Sequence, residues 1–233
     1  MTLDVHFDHP DFLAVHKPPT IGMHQEGQNI GLVTMLSQQL GGRPLWPVHR
    51  LDKVTSGLVL IAKNADTAAA LSGLFAKRQV EKYYIALSDK KPAKKQGAVI
   101  GDMQKARRGQ WKLSTSKLSP AVSQFFSAGL GNGLRLFVVR PHTGKTHQIR
   151  VMMKSLGAPI LGDSHYGATP ADRTYLHALA LRFTYQNNAF SFICQPAAGQ
   201  HFNSPEYNRE VEKFTPPWAL RWPQLANIGG MHG

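Results

Sequence analysis

Thiols are nearly absent from this chain of 233 residues, and Cys194 is the one cysteine. An intrachain disulfide is therefore impossible, and a reducing compartment, the cytoplasm, is the expected location. A zinc site built on several thiolates is excluded as well. Long apolar runs are also missing: no stretch reaches the roughly eighteen residues that a membrane-spanning helix needs. Met1 to Pro10 holds Asp4, Asp8 and two histidines where a signal peptide would have an apolar core. Acidic residues are scarce, 14 against 27 Lys and Arg, which leaves a formal net charge of +13.

The cations are concentrated. Between Lys77 and Lys117 stand twelve Lys or Arg against Glu81, Asp89 and Asp102. Charge this dense is the electrostatic footprint of a polyanion partner. No basic amphipathic helix with an aromatic face accompanies it, which argues against a membrane surface and for nucleic acid.

Apolar periodicity outlines a mixed α/β chain, strand-rich with few helices. Asp11 to Lys17 reads as a strand stopped by Pro18-Pro19. Asn29 to Leu40 reads as a helix capped by Asn29, buried on Leu32, Met35, Leu36 and Leu40, and ended by Gly41-Gly42. Thr55-Ser56-Gly57 reads as a turn before a buried strand, Leu58 to Ala62. Asn64 caps a helix from Ala65 to about Gln79. Strands follow at Glu81 to Leu87, Ala98 to Ile100, Ala121 to Ala128 and Leu134 to Arg140, the last two joined by a glycine-rich hairpin. The rest of the basic segment, with Gly101, Gly109 and Trp111, reads as loops; Trp111 there either stacks on a base or covers core. Thr146 to Leu156 reads as a helix with Ile149, Met152, Met153 and Leu156 on its apolar stripe. Arg150 lies at that stripe's edge, where a partly buried guanidinium needs an anion. Leu176 to Phe183 and Ala189 to Cys194 read as closing strands. Residues 1–202 form the expected main domain, and 203–233 a tail with a short helix over the core.

His49-Arg50-Leu51-Asp52-Lys53-Val54-Thr55-Ser56-Gly57-Leu58 organises the whole. It sets a carboxylate between two cations, just ahead of a buried strand. The string resembles the motif around the catalytic aspartate of the RluA family of RNA pseudouridine synthases. Pro141-His142-Thr143-Gly144-Lys145-Thr146-His147-Gln148-Ile149-Arg150-Val151 resembles that family's second motif. It departs where Lys145 replaces Arg and Met152 replaces His, and Lys145 keeps the charge without the planar fork. Lys82-x-Tyr84-x-Ala86, Gly162-Asp163-x-x-Tyr166-Gly167 and Leu176-His177-Ala178 match further family patterns.

The resemblance implies a pseudouridine synthase catalytic fold, a long and largely antiparallel sheet with a central cleft and flanking helices, in a short form without an N-terminal RNA-binding module. It implies isomerisation of uridine to pseudouridine in structured RNA, a ribosomal or transfer RNA stem-loop. It assigns Asp52 as catalytic carboxylate, Arg150 as its ion-pair partner and Tyr84 as the aromatic face for the extruded base. Arg50, Lys53, Lys82, Lys145, His147 and Gln148 become RNA-binding candidates, with Arg50 filling the space the base leaves. Lys17 contacts a phosphate from the edge of the site or sits on the surface, and Asp163, among glycine and proline turn residues, is structural rather than catalytic. The isomerisation adds and removes nothing, so no cofactor and no metal is expected, nor a protein partner, and a monomer is the default. Two other readings compete. One is a non-catalytic RNA-binding protein or folding helper on the same scaffold. The other is a hydrolase using Ser56, His49 and Asp52, residues too close on one turn to form a relay easily.

Overall fold

The structure, a computed structural model, describes residues 1–25 and 27–225. The end of the tail, 226–233, lies outside the described residues. In chain order the strands are β1 (Asp4–Asp8), β2 (Phe12–Lys17), β3 (Trp46–Pro47), β4 (Ser56–Ala62), β5 (Glu81–Ser88), β6 (Gln96–Gly101), β7 (Met103–Lys105), β8 (Trp111–Leu113), β9 (Ala121–Gly131), β10 (Leu134–Pro141), β11 (Leu176–Tyr185) and β12 (Asn188–Ile193). The α-helices are α1 (Leu32–Gln39), α2 (Ala65–Ala76), α3 (Gln148–Ser155) and α4 (Pro205–Glu212). Ten strands share one sheet in the order β1-β2-β4-β11-β5-β10-β9-β6, with β3 on β4 and β12 on β11. Every pairing in it is antiparallel except β4 with β11, where Ser56 faces His177 and Gly57 faces Ala178.

Burial on both faces explains the unbroken apolar run of β4, all seven of whose residues are buried. Full burial of one such Leu or Ile is worth about 1.5–3 kcal/mol. The strand begins earlier than expected: Ser56 and Gly57 belong to it rather than to a turn. Gly57 has φ +116°, and a Cβ there would lie 2.3 Å from the Ala178 carbonyl oxygen, so only glycine lets the two strands meet in parallel. The turn ahead is the tighter one, closed by Thr55 N–H donating to Asp52 O at 3.0 Å.

Asn64 caps α2 as expected, its Oδ1 accepting from Thr67 N–H at 2.8 Å. Asn29 does not cap α1, whose N-cap is Gly31, because the chain from Met23 enters by backbone bonds from Leu32 and Val33 to Gly22 and Met23. The β9–β10 hairpin closes on Asn132-Gly133, both at positive φ, so β9 runs through Gly131. The basic segment is not all loop. Its β7 and β8 pair as a separate hairpin, turning at Arg108 and Gly109 with positive φ, and it rests on α3. After β12, α4 sets Tyr207 and Val211 into the core around β5 and β10. Trp222 packs on Tyr83 and Phe126. Among the described residues no helix is long and apolar enough to cross a membrane.

Candidate active site

A cleft of about 470 Å³ opens where the β3–β4 loop, β5 and the start of α3 converge. Asp52, Arg150, Tyr84, Arg50, Lys82, Lys145, His147 and Gln148 all line it. Lys53 does not: it lines a separate hollow with Thr20 and His24. Asp52 is the one carboxylate among the described residues that line the cleft, with a side chain 21 % exposed.

Arg150 reaches Asp52, but Asp52 is not its main partner. Its Nη1 is 3.4 Å from Asp52 Oδ2, whereas Nε and Nη2 each donate to an Asp163 carboxylate oxygen at 2.8 Å. The pair is buried, with Arg150 5 % and Asp163 2 % exposed. Asp163, expected to be structural, aims the Arg150 fork through parallel charge-assisted bonds. Its hold raises the Arg150 pKa against the opposing effect of burial.

Lys17 is not on the surface, and its ammonium is taken up by the protein itself. It is fully buried, and its Nζ donates to the carbonyls of Pro18 at 3.0 Å, Ile21 at 2.8 Å and Lys53 at 3.2 Å. Three acceptors match the three N–H donors of an ammonium and tie the 52–55 turn to β2. Burial pushes this lysine down to about 7, opposed by Asp52.

Tyr84 stands half-buried on β5, with its hydroxyl pKa raised by burial and then by Asp52. Lys82, two residues earlier on the same face, donates to Thr143 O at 3.3 Å. Arg50 is exposed at the rim. Lys145 is exposed and donates to Ser119 Oγ at 2.9 Å. Gln148 is built in rather than free for RNA. It is 6 % exposed, accepts from Thr143 Oγ1 and Lys145 N, and donates to Val122 O and Ser123 Oγ.

The helix expected from Thr146 begins at Gln148, because His147 takes a left-handed φ of 57°. That twist turns its ring into the cleft. Nε2 lies 3.9 Å from Asp52 Oδ2, and Nδ1 is 2.8 Å from the Tyr166 hydroxyl. Tyr166 is a site residue the sequence reading treated only as part of a turn. Its ring lies 5.0 Å from the Arg150 guanidinium, a cation–π contact. Trp111 is half-buried with Lys105 over its ring, and its backbone N–H donates to Tyr166 Oη at 3.2 Å.

The hydrolase relay is not formed. Ser56 is fully buried, accepts from Arg173 Nη2 at 2.6 Å and bonds His177 Nδ1 at 2.8 Å. His49 accepts the Leu60 N–H on Nε2 at 2.9 Å and stacks on Phe75. His16, His177 and Cys194 bring ligand atoms within 4.8 Å of one another. His177, however, already uses both ring nitrogens, the second on Cys194 O at 2.7 Å. That group is core hydrogen bonding.

A family model described as RNA pseudouridylate synthase matches residues 11–155. The chain is 47% identical over 216 residues to an uncharacterized RNA pseudouridine synthase of Haemophilus influenzae, covering 92% of this chain and 96% of that one. It is 36% identical over 171 residues to ribosomal large subunit pseudouridine synthase C of Rickettsia bellii, covering 69% of this chain but only 56% of the longer relative. The solved structure of human RNA pseudouridylate synthase domain containing 1 superposes with a TM-score of 0.71 at 22% identity, covering 92% of this chain and 96% of that one. The chain therefore belongs to the RNA pseudouridylate synthase family, RluA-type enzymes that isomerise uridine in RNA.

Proposed function

We propose that this chain converts a specific uridine of a structured ribosomal or transfer RNA to pseudouridine, with Asp52 as the catalytic carboxylate. The observation that carries the proposal is the single cleft carboxylate held against a buried arginine. Hydrolysis of a glycosidic bond ordinarily uses two carboxylates, one as acid and one as base or nucleophile. Isomerisation needs no activated water. The N1–C1′ bond breaks, the base turns within the cleft, C5 bonds to C1′, C5 loses its proton and N1 gains one. One carboxylate can serve this by attacking C1′ or by taking a proton from the sugar.

The target must leave its stack, at a cost of a few kcal/mol, roughly. Tyr84 offers the flipped base a face, and Arg50 at the rim can stack in the space it leaves. Lys82, Lys145 and the basic hairpin supply positive potential for the strand on either side. Lys53 serves the RNA backbone beyond the cleft, and Gln148 shapes the site by holding the 143–148 loop. No cofactor enters these steps. The protein acts as a cytoplasmic monomer.

The test is a map of pseudouridines in total cellular RNA with and without the gene, by a chemical adduct that stops reverse transcription. A site lost on deletion and restored by wild type, but not by Asp52→Asn, is the expected result and names the RNA. Purified Asp52→Asn keeps its RNA affinity. A variant that still forms pseudouridine at the wild-type rate overturns the role of Asp52.

A further inference from the structure

The Tyr166 hydroxyl sits at a junction that the chemistry above does not use. It accepts the backbone N–H of Trp111 on the basic hairpin at 3.2 Å and lies 2.8 Å from Nδ1 of His147. Tyr166 is 2 % exposed, so no bulk water competes for these bonds. A phenol has one proton to give. With the Trp111 N–H already donating to the oxygen, that proton is satisfied by Nδ1 of His147. The reverse arrangement, Nδ1–H donating to the phenol, would leave the buried O–H without an acceptor among the recorded bonds, at the cost of an unmet buried donor. Donation to Nδ1 requires the neutral imidazole to carry its hydrogen on Nε2. That atom is the one 3.9 Å from Asp52 Oδ2.

We propose that Tyr166 is a positioning residue: its hydroxyl holds the His147 ring in the plane and tautomer that present Nε2–H to the Asp52 carboxylate, and anchors this arrangement to the basic β7–β8 hairpin through Trp111. The inference rests on the reading of Asp52 as the catalytic carboxylate. A hydrogen on Nε2 favours the charged oxygen beside it, whereas a lone pair there would oppose it. The left-handed backbone at His147 gives the ring its direction but leaves its side-chain torsions to be fixed by a partner. Tyr166 is that partner. The hairpin's exposed Arg107 and Arg108 place RNA-attracting charge on the same unit that holds the hydroxyl. A displacement of the hairpin is thereby felt at the carboxylate.

Tyr166→Phe removes only the hydroxyl and keeps the ring against Arg150, so the variant is expected to fold. Long-range proton–nitrogen correlation of the labelled imidazoles, with His147 assigned by its loss in His147→Gln, reads the tautomer directly. In wild type Nε2 is protonated, and Nδ1 shows the upfield shift of a nitrogen that accepts a hydrogen bond. In Tyr166→Phe the Nδ1 signal moves toward that of a free acceptor nitrogen. A protonated Nδ1 in wild type, or an Nδ1 signal unmoved by the substitution, overturns the proposal whatever the activity. In single turnovers Tyr166→Phe slows pseudouridine formation about tenfold, the loss expected for one well-placed hydrogen bond, and leaves RNA affinity within about twofold. In a His147→Ala background the same change costs nothing further. An equal loss in both backgrounds overturns action through His147. Full activity of Asp52→Asn would instead refute the underlying catalytic reading and leave the tautomer result standing.

Discussion

Replacing Asp163 by Asn tests whether the arginine beside Asp52 is held from behind. The substitution keeps the shape of the side chain and one acceptor oxygen but removes the charge. Wild-type Arg150 makes two 2.8 Å bonds to Asp163 with both partners almost fully buried, and a third, longer contact to Asp52 at 3.4 Å. Breaking a buried ion pair by removing one partner costs about 3–5 kcal/mol. The oxygen that Asn retains recovers about 1 kcal/mol as a neutral hydrogen bond. A net loss of about 3 kcal/mol follows, which for a chain of this size lowers the melting temperature by roughly 6–12 °C. The guanidinium then turns to the remaining carboxylate, Asp52, and fixes it in a pose that the substrate has to break. Pseudouridine formation therefore falls by roughly tenfold or more at a temperature where the variant is still folded, because about 1.4 kcal/mol of extra hold on the ground state suffices for that factor. Thermal melts by circular dichroism and single-turnover kinetics on an RNA substrate measure the two effects separately. A variant that melts within about 2 °C of wild type, below even a 1 kcal/mol effect on this scale, refutes the claim that Asp163 holds Arg150. One that melts early but turns over normally refutes the link from Arg150 to Asp52.

Gly57→Ala forces a methyl group into the Ala178 backbone at a φ of +116°, and should cost at least about 3 kcal/mol in urea unfolding; a midpoint within error of wild type would show that β4 and β11 can separate freely. His49 and His177 are held neutral, pushed down to about 3 by burial. Below about pH 6.5 the unfolded chain binds protons that the folded chain refuses, so stability is full above that value and falls as the pH drops toward 3. The two together should remove about 3 kcal/mol between pH 8 and pH 5.5, and a flat urea midpoint across that interval would contradict their neutrality. Replacing exposed Arg107 and Arg108 together by Ala should reduce the slope of log affinity against log salt by about 1.4–1.8; an unchanged slope would place the RNA elsewhere.

Some of this was readable before any coordinates. Leu58 to Ala62 announces a buried strand because both faces of β4 are covered, so no polar alternation interrupts the run. Asn64 announces its helix because a cap acts within three residues. Contacts that join distant segments left no such trace. Lys17 precedes two prolines and looks exposed, yet the carbonyls of Pro18, Ile21 and the distant Lys53 enclose its ammonium. Arg150 signals a need for an anion, but whether Asp52 or Asp163 answers depends on how a helix and a turn 13 residues apart are docked. The β7–β8 hairpin was hidden by its shortness: Trp111-Lys112-Leu113 does alternate, but three residues a strand are too few to stand out within a basic segment. His147 was misplaced in α3 because a left-handed residue ahead of a helix has no side-chain signature when it is not glycine.

Strand β11 divides the sheet into two groups whose strands pair with one another only through it: β4 with β1, β2 and β3 on one side, and β5 with β10, β9 and β6 on the other. Asp52 lies between β3 and β4 of the first group, while Arg150 and His147 follow the last strand of the second. Both motifs have thus been synthesised before the strand that aligns them has left the ribosome. An emerging chain carries a complete set of site residues with no cleft, and gains one only when residues 176–185 insert between segments made long before. Alignment of the two motifs is in this sense timed by the order of synthesis.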